Sequence, residues 1–395
     1  MTAPGANPPF VAIACGGTGG HLFPGLAVAE QLKKRGCAVA LLVSPKEVDQ
    51  EAVKSARDVE IVTLPAVALQ NRNYLSFARS FWQSWRASRK LFQSRPPHAV
   101  LAMGGFTSAP PILAARKSGA LTFLHESNTI PGRANRFLAR FVDEAFVGFP
   151  DAAGRLRARE VTPTGTPVRP QFQPGYPGPC RAAFGLEPDR PTVLVMGGSQ
   201  GASGINEMIL SALTLLDGRD WQWLHLAGAK DFEIVQSAYD RRSLDAVVKP
   251  FVAKMDLALG AATVAVSRAG ASSLAEIAAM RLPSLLVPFP AAADNHQFHN
   301  ARAFEAAGAA RLLEQKNATP EKLVALLCEL VEGQAARAKI QAALAQWHAP
   351  RAAEQIAEIM LAAIARQQEQ AVAPVSKCSC GCADRSTKQA VSLGA

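Results

Sequence analysis

The sequence predicts an α/β protein made of two doubly wound, parallel-sheet domains with a cleft between them. Short apolar runs alternate with longer amphipathic stretches along most of the chain, the pattern of βαβ units whose strands are covered on both faces. A stretch at 162–180 holding six prolines and three glycines interrupts the alternation; such composition is hostile to helix and central strand, so it reads as the interdomain linker. The two halves open alike, with an apolar strand, a glycine-rich turn and a helix. A chain of 395 residues is long enough for two or three domains.

In the first half, Val11–Cys15, Ala38–Val43, Ile61–Leu64, Ala99–Met103, Leu121–Leu124 and Ala145–Val147 read as buried strands, and Pro24–Lys34, Tyr74–Phe92 and Gly132–Phe141 as helices. After the linker, strands are expected at Thr192–Met196, Trp221–Leu226, Ala246–Val248, Thr263–Val266 and Ser284–Val287. Helices are expected near Gly204–Leu215, Ser272–Met280 and Asn295–Ala307. Two long helical patterns, Glu321–Gln346 and Arg351–Gln368, close the fold, and periodicity vanishes from Glu369, so 369–395 reads as a disordered tail.

Composition narrows the function. With 49% apolar and 19% charged residues, global disorder is excluded. No run of 18 apolar residues is present, so no bilayer-spanning helix is expected, and Met1–Phe10 lacks the features of a signal peptide. The seven cysteines form no disulfide framework, which fits a reducing cytoplasm. Cys378, Cys380 and Cys382 read either as a soft-metal grip or as tail residues without a role. The net charge of +10 favours an anionic partner: nucleic acid, acidic lipid or a phosphorylated small molecule. Between Asn71 and Val100 there is no acidic residue, and Arg72, Arg79, Arg86, Arg89, Lys90 and Arg95 interleave with Phe77, Phe81, Trp82 and Trp85. Such a stripe suits an anionic membrane surface or, equally, the domain core. No recognised binding module accompanies the charges, so nucleic acid is not expected.

Three glycine loops follow strand ends: Gly16-Gly17-Thr18-Gly19-Gly20-His21, Gly104-Gly105 and Gly197-Gly198-Ser199-Gln200-Gly201. The first misses the dinucleotide fingerprint because Leu22 stands where the last glycine is needed, and no Walker lysine is present. A single glycine turn serves close strand-helix packing just as well as ligand binding. Three at strand carboxyl ends point to a phosphorylated or sugar ligand in the cleft. Ser267–Glu276 opens a helix after a strand, where free N–H groups suit a diphosphate and Glu276 suits ribose hydroxyls; the alternative is a capping box between Ser273 and Glu276. Asp294-Asn295-His296-Gln297 offers amides to sugar hydroxyls, or is only a polar loop. His21 reads as a general base or a loop-capping residue, and His125-Glu126-Ser127-Asn128 carries the same ambiguity. No metal-ligand spacing occurs in these loops.

These motifs, with Gly-Thr-Pro-Val-Arg at 165–169 and Ser-Arg-Ala-Gly-Ala at 267–271, resemble the MurG family of bacterial glycosyltransferases over about Val11 to Gln368. That family adds N-acetylglucosamine to the lipid-linked muramyl-pentapeptide (lipid I), giving lipid II for peptidoglycan synthesis. The resemblance implies the GT-B fold. An acceptor and membrane domain would cover 1–165, a nucleotide-sugar domain 166–350, and a final helix at 351–368 would pack back on the first domain. It implies a metal-independent inverting reaction with no cofactor, UDP-N-acetylglucosamine and undecaprenyl-pyrophosphoryl-muramyl-pentapeptide being substrates. By carry-over, Ser199 and Arg169 contact the diphosphate, Val252 pairs its backbone with uracil, and Glu276 holds the ribose. Ala271, Ser272, Ser273, Leu274 and Ala275 line the helix start beside the phosphates, and Gln297 reads the sugar. Thr18, Gly19, Gly20 and Asn128 reach the sugar and acceptor from the first domain. His21 is the expected base, with Glu126 second. The resemblance also favours docking of Phe77, Phe81, Trp82 and Trp85 on the cytoplasmic face of the cell membrane. Some relatives carry two glutamines where this chain has His296-Gln297, which bears on sugar selectivity. The rivals are another two-domain nucleotide-sugar enzyme, such as a UDP-sugar 2-epimerase, and a non-catalytic UDP-sugar-binding protein.

Overall fold

The computed structural model describes residues 8–17, 19–45, 59–65, 74–198 and 201–372. The first sheet contains β1 (Phe10–Ala14), β2 (Ala38–Val43), β3 (Glu60–Thr63), β4 (Ala99–Ala102), β5 (Leu121–Glu126), β6 (Glu144–Val147) and β7 (Val161–Pro163), in the order β3-β2-β1-β4-β5-β6-β7. The second contains β8 (Thr192–Met196), β9 (Gln222–Leu226), β10 (Ala246–Lys249), β11 (Val264–Ser267), β12 (Ser284–Leu286) and β13 (Arg311–Leu312), in the order β10-β9-β8-β11-β12-β13. Every pairing is parallel. The sequences FVAIA, AVLA and TVLVM are buried throughout, as parallel strands covered on both faces require. Each sheet reverses its winding between its first and fourth strands, β1 and β4 in one and β8 and β11 in the other. That reversal opens a crevice at the strands' carboxyl ends, where open α/β sheets hold their ligands.

Apolar clusters cover both faces of the first sheet, and one large cluster surrounds the second. The final helix, Ala352–Val372, puts Ala353, Ile356, Ala357, Met360 and Ile364 into the cluster that holds Val11, Ile13 and Leu22. Arg35 Nη2 reaches Glu354 at 2.9 Å and Glu358 at 3.3 Å from the first domain. Crossing the other way, Phe149 follows β6 and buries itself in the second cluster. Its ring lies 5.3 Å from Trp347 and 6.1 Å from Phe304, which are themselves 4.5 Å apart.

Several elements differ from the sequence expectation. The first helix starts at Gly19 and carries Pro24 inside it. The proline-rich stretch is not all linker: β7 occupies its start, at a sheet edge where proline is tolerated, and a short helix, Pro177–Ala182, opens on a proline. The pattern 321–346 is two helices, Pro320–Glu332 and Gln334–Trp347, broken at Gly333. The last helix runs on to Val372 rather than fading at Glu369; the rest of the tail, with Cys378, Cys380 and Cys382, lies outside the described residues. Helices at Ala109–Lys117, Phe232–Asp240 and Met255–Ala261 complete the layers.

Candidate active site

On the first domain, the two glycine loops at the β1/β4 crevice are knit together. Thr107 Oγ1 donates to Gly16 O at 2.5 Å, and Ser108 Oγ donates to Gly104 O at 2.6 Å. Gly104 and Gly105 have φ of +107° and +78°, conformations that favour glycine. His21 lies flat on them. A Cβ at Gly104 would fall 2.9 Å from His21 Cε1, and one at Gly105 3.2 Å from His21 Cδ2. Glycine at both places is therefore what lets the imidazole approach. Gly19 and Gly20 open the helix carrying His21, and Thr18 lies outside the described residues.

Burial holds His125 below the ordinary imidazole range, so its neutral ring donates from Nε2 to Gly165 O at 3.0 Å and accepts from Ser127 Oγ at Nδ1, 3.2 Å away. Glu126 is also buried, and both its oxygens are engaged. Oε1 accepts from the Asn128 N–H at 2.8 Å and from Asn128 Nδ2 at 3.0 Å, while Oε2 accepts from the Gly132 N–H at 2.9 Å and from Asn135 Nδ2 at 2.8 Å. All four of these bonds come from within residues 128–135 of the same loop. Glu126 thus organises the 126–135 loop.

On the second domain, the helix Ala271–Met280 starts after Gly270, and no side chain caps it. That start excludes the Ser273–Glu276 capping box, because Ser273 already lies inside the first turn. Glu276 instead faces Arg169, whose Nη2 is 3.7 Å from its Oε1, both side chains being 15% exposed. Desolvation pushes the Glu276 carboxyl up to about 7 against the pull of Arg169, and burial lowers Arg169 despite Glu276. Both shifts say that desolvation outweighs the attraction of this long ion pair. The Arg169 guanidinium stacks 4.2 Å over Phe23 of the first domain and 5.0 Å from Phe172, so it stands between the domains. Helices Gly19–Lys34 and Ala271–Met280 meet across the same crevice.

Gly198 and Gly201 have φ of +92° and +74°; Ser199 between them lies outside the described residues. Val252 is half-buried against the second core, beside Phe251, which is 56% exposed. Gln297 sits in the first turn of helix His296–Ala306, and its Oε1 accepts from the Phe289 N–H at 3.0 Å. Arg268, to which sequence reading assigned no role, is buried and donates to Val287 O, Pro288 O and Gln315 Oε1 at 3.0–3.1 Å, tying β11 to β12.

Sequence reasoning missed Asn300. It is fully buried, accepts at Oδ1 from the Thr129 N–H and Thr129 Oγ1 (2.9 and 3.0 Å), and donates from Nδ2 to Asn128 Oδ1 and Ala269 O (both 3.1 Å). One amide thus joins the 126–129 loop of the first domain to the 267–271 loop of the second.

Both domains match family models, one described as the glycosyltransferase family 28 N-terminal domain at residues 11–147, the other as the C-terminal domain at 192–356. The chain belongs to glycosyltransferase family 28. Family 28 relatives named UDP-N-acetylglucosamine--N-acetylmuramyl-(pentapeptide) pyrophosphoryl-undecaprenol N-acetylglucosamine transferase include one from Anaeromyxobacter dehalogenans, 36% identical over 90% of this chain and 93% of the relative. Another, from Xanthomonas axonopodis pv. citri, is 38% identical over 89% of this chain and 81% of its own length. The crystal structure of Acinetobacter baumannii MurG superposes with a TM-score of 0.72 at 28% identity, covering 90% of this chain and 100% of that one. The putative UDP-N-acetylglucosamine 2-epimerase from Listeria monocytogenes superposes at 0.70 with 15% identity, which reflects the shared fold alone. The two-domain GT-B architecture is therefore that of a family 28 glycosyltransferase.

The basic helix of the first domain is Tyr74–Ser94. Its buried face is a serine ladder, Ser80, Ser84 and Ser88, spaced one turn apart, together with Phe92, and the helix packs on Ala109–Lys117. The four expected membrane residues divide. Trp82 is 53% exposed, Phe77 and Phe81 are half-buried with ring centroids 6.3 Å apart, and Trp85 packs against the core. Arg86 stacks 4.5 Å over Trp82 and Arg89 5.0 Å over Trp85. Among the described residues, no helix is long and apolar enough to cross a membrane.

Proposed function

We propose that this protein transfers N-acetylglucosamine from UDP-N-acetylglucosamine to the 4-hydroxyl of the muramyl sugar of an undecaprenyl-pyrophosphoryl-muramyl-pentapeptide, with inversion at the anomeric carbon. The observation that carries the reading is one crevice with two chemistries. An uncapped helix start beside the Arg169–Glu276 pair meets, across the cleft, the helix that carries an imidazole seated on two glycines. Relatives at 36–38% identity bear the name of that transferase.

The acceptor hydroxyl gives its proton to His21 as its oxygen attacks the anomeric carbon from the face opposite the nucleotide. The bond from that carbon to the β-phosphate oxygen breaks, and its electron pair leaves with UDP. Charge growing on the diphosphate is met by the N–H groups of residues 271–273, by Arg169 and by the Ser199 loop. The charge is balanced by groups of the protein itself, so turnover is expected to survive EDTA. Glu276 takes the ribose hydroxyls, the Val252 backbone the uracil, Gln297 the sugar hydroxyls, and Asn128 the acceptor side. The exposed Trp82, with Leu75 and Arg86 on the same helix, docks the protein peripherally on the anionic cytoplasmic face of the cell membrane, where a polyprenyl-linked acceptor resides.

The test is UDP release from UDP-N-acetylglucosamine in EDTA, with and without a short-chain lipid-linked muramyl-pentapeptide. Acceptor-dependent release with a disaccharide product is expected; release without acceptor would replace the reading by an epimerase or hydrolase. His21→Ala should lower turnover about a hundred- to ten-thousandfold, and near wild-type turnover would remove His21 from the role of base.

A further inference from the structure

We propose that Asp294 is a cross-domain positioning residue, holding the sugar-reading segment 294–300 against the acceptor-side segment 126–136 through its ion pair with Arg136. The inference rests on the transferase reading above and adds to it how donor and acceptor are kept in register.

Arg136 Nη2 lies 2.7 Å from Asp294 Oδ2, and Arg133 Nη2 lies 3.5 Å from Oδ1. Asp294 is 29% exposed at its side chain and Arg136 44%, so the pair is partly shielded from water. Asp294 and Asn295 have consecutive φ of +49° and +53°, a left-handed turn that Asp and Asn adopt more readily than other side-chain-bearing residues. His296 Nδ1 donates to Ala293 O at 2.7 Å and closes the turn.

At the far end of the same segment, Asn300 is held by Asn128 and Thr129. The first domain therefore grips the segment at both ends, by charge at 294 and by a buried amide at 300, with Gln297 between the grips. On the acceptor side, one carboxylate sets both counterparts. Glu126 binds Asn128 and also the Gly132 N–H, and the helix bearing Arg133 and Arg136 starts at that glycine. Opening the ion pair would let the sugar reader swing relative to His21 and Asn128. The donor would still bind its own domain, and alignment for attack would be lost. The signature is a fall in kcat with little change in the KM for UDP-N-acetylglucosamine.

The test is a charge-exchange series in the full chain carrying Arg133→Gln, which takes the second arginine away from position 294: Asp294→Arg, Arg136→Asp and the two together. It is read by acceptor-dependent UDP release and by hydrogen exchange of the 293–300 backbone. Each single reversal is expected to lower kcat about tenfold, with KM for the donor within about twofold, and to speed exchange. The double exchange should bring kcat back to within about threefold of the Arg133→Gln parent. Single reversals without effect on kcat, or a loss that the double exchange leaves unrelieved, would overturn the proposal. Absence of acceptor-dependent release by the wild-type protein, while exchange still responds to the reversals, would refute the transferase reading and leave the ion pair standing as a clamp between the domains.

Discussion

Replacing Glu276 by glutamine tests the electrostatics of the crevice without any substrate. The folded protein keeps a proton on Glu276 up to about pH 7, whereas the unfolded chain loses it near the ordinary 4.5. Between those values the folded state binds more protons, so stability falls as pH rises. The contribution is fully present below about 4.5 and lost as pH passes through about 7. At about 1.4 kcal/mol for each pH unit, the interval from 4.5 to about 7 amounts to about 3 kcal/mol. Glutamine cannot titrate, so Glu276→Gln should lack this slope. Relative to wild type it should gain up to about 3 kcal/mol between pH 4.5 and 8, less whatever pairing Arg169 forfeits. Guanidinium denaturation of both proteins across that range supplies the curves. Parallel curves would refute the assignment of the raised carboxyl to Glu276. Ribose hydroxyls donating to this group favour its ionised form, so UDP binding near pH 6.5 should release protons, measurable by calorimetry in buffers of different ionisation heat.

Asn300→Ala removes four hydrogen bonds, leaving the buried Thr129 N–H and Ala269 carbonyl without their partner. It should cost about 3 kcal/mol in denaturant unfolding; a loss below about 1 kcal/mol would mean that the two loops hold without it. Gly165→Ala forces a methyl onto Ala349 at φ of +79°, and should destabilise by about 2 kcal/mol or more, seen as faster hydrogen exchange in the final helix. Trp82→Ala touches a side chain 53% exposed, so stability should move by no more than about 0.5 kcal/mol while partition into anionic vesicles falls. Unchanged partition at low salt would contradict docking through this helix.

The strands were legible because β1, β4 and β8 are buried on both faces and read as unbroken apolar runs, with no alternation to misjudge. Helix Ala109–Lys117 escaped notice because Pro110 and Pro111 look like breakers, yet both stand in the first turn, where their missing N–H groups cost nothing. The capping box between Ser273 and Glu276 is a purely local reading, and the helix start after Gly270 removes it. Asn300 carries no local signal at all, since its partners Thr129 and Asn128 are 171 and 172 residues away. The buried face of the basic helix did have one: serines at 80, 84 and 88, small residues at one-turn spacing that let two helices approach closely, whereas Trp82 alone of the four aromatic candidates stands exposed.

The return of helix Ala352–Val372 to the first domain has a consequence for synthesis. The first sheet leaves the ribosome early, but the side of it that this helix covers must wait for almost the whole chain. The second domain is continuous and finishes ahead of it. A nascent chain that has cleared the ribosome only to about residue 350 therefore holds a completed second domain and a first domain with an uncovered apolar face, which a chaperone can bind. Release of the last helix then seals that half.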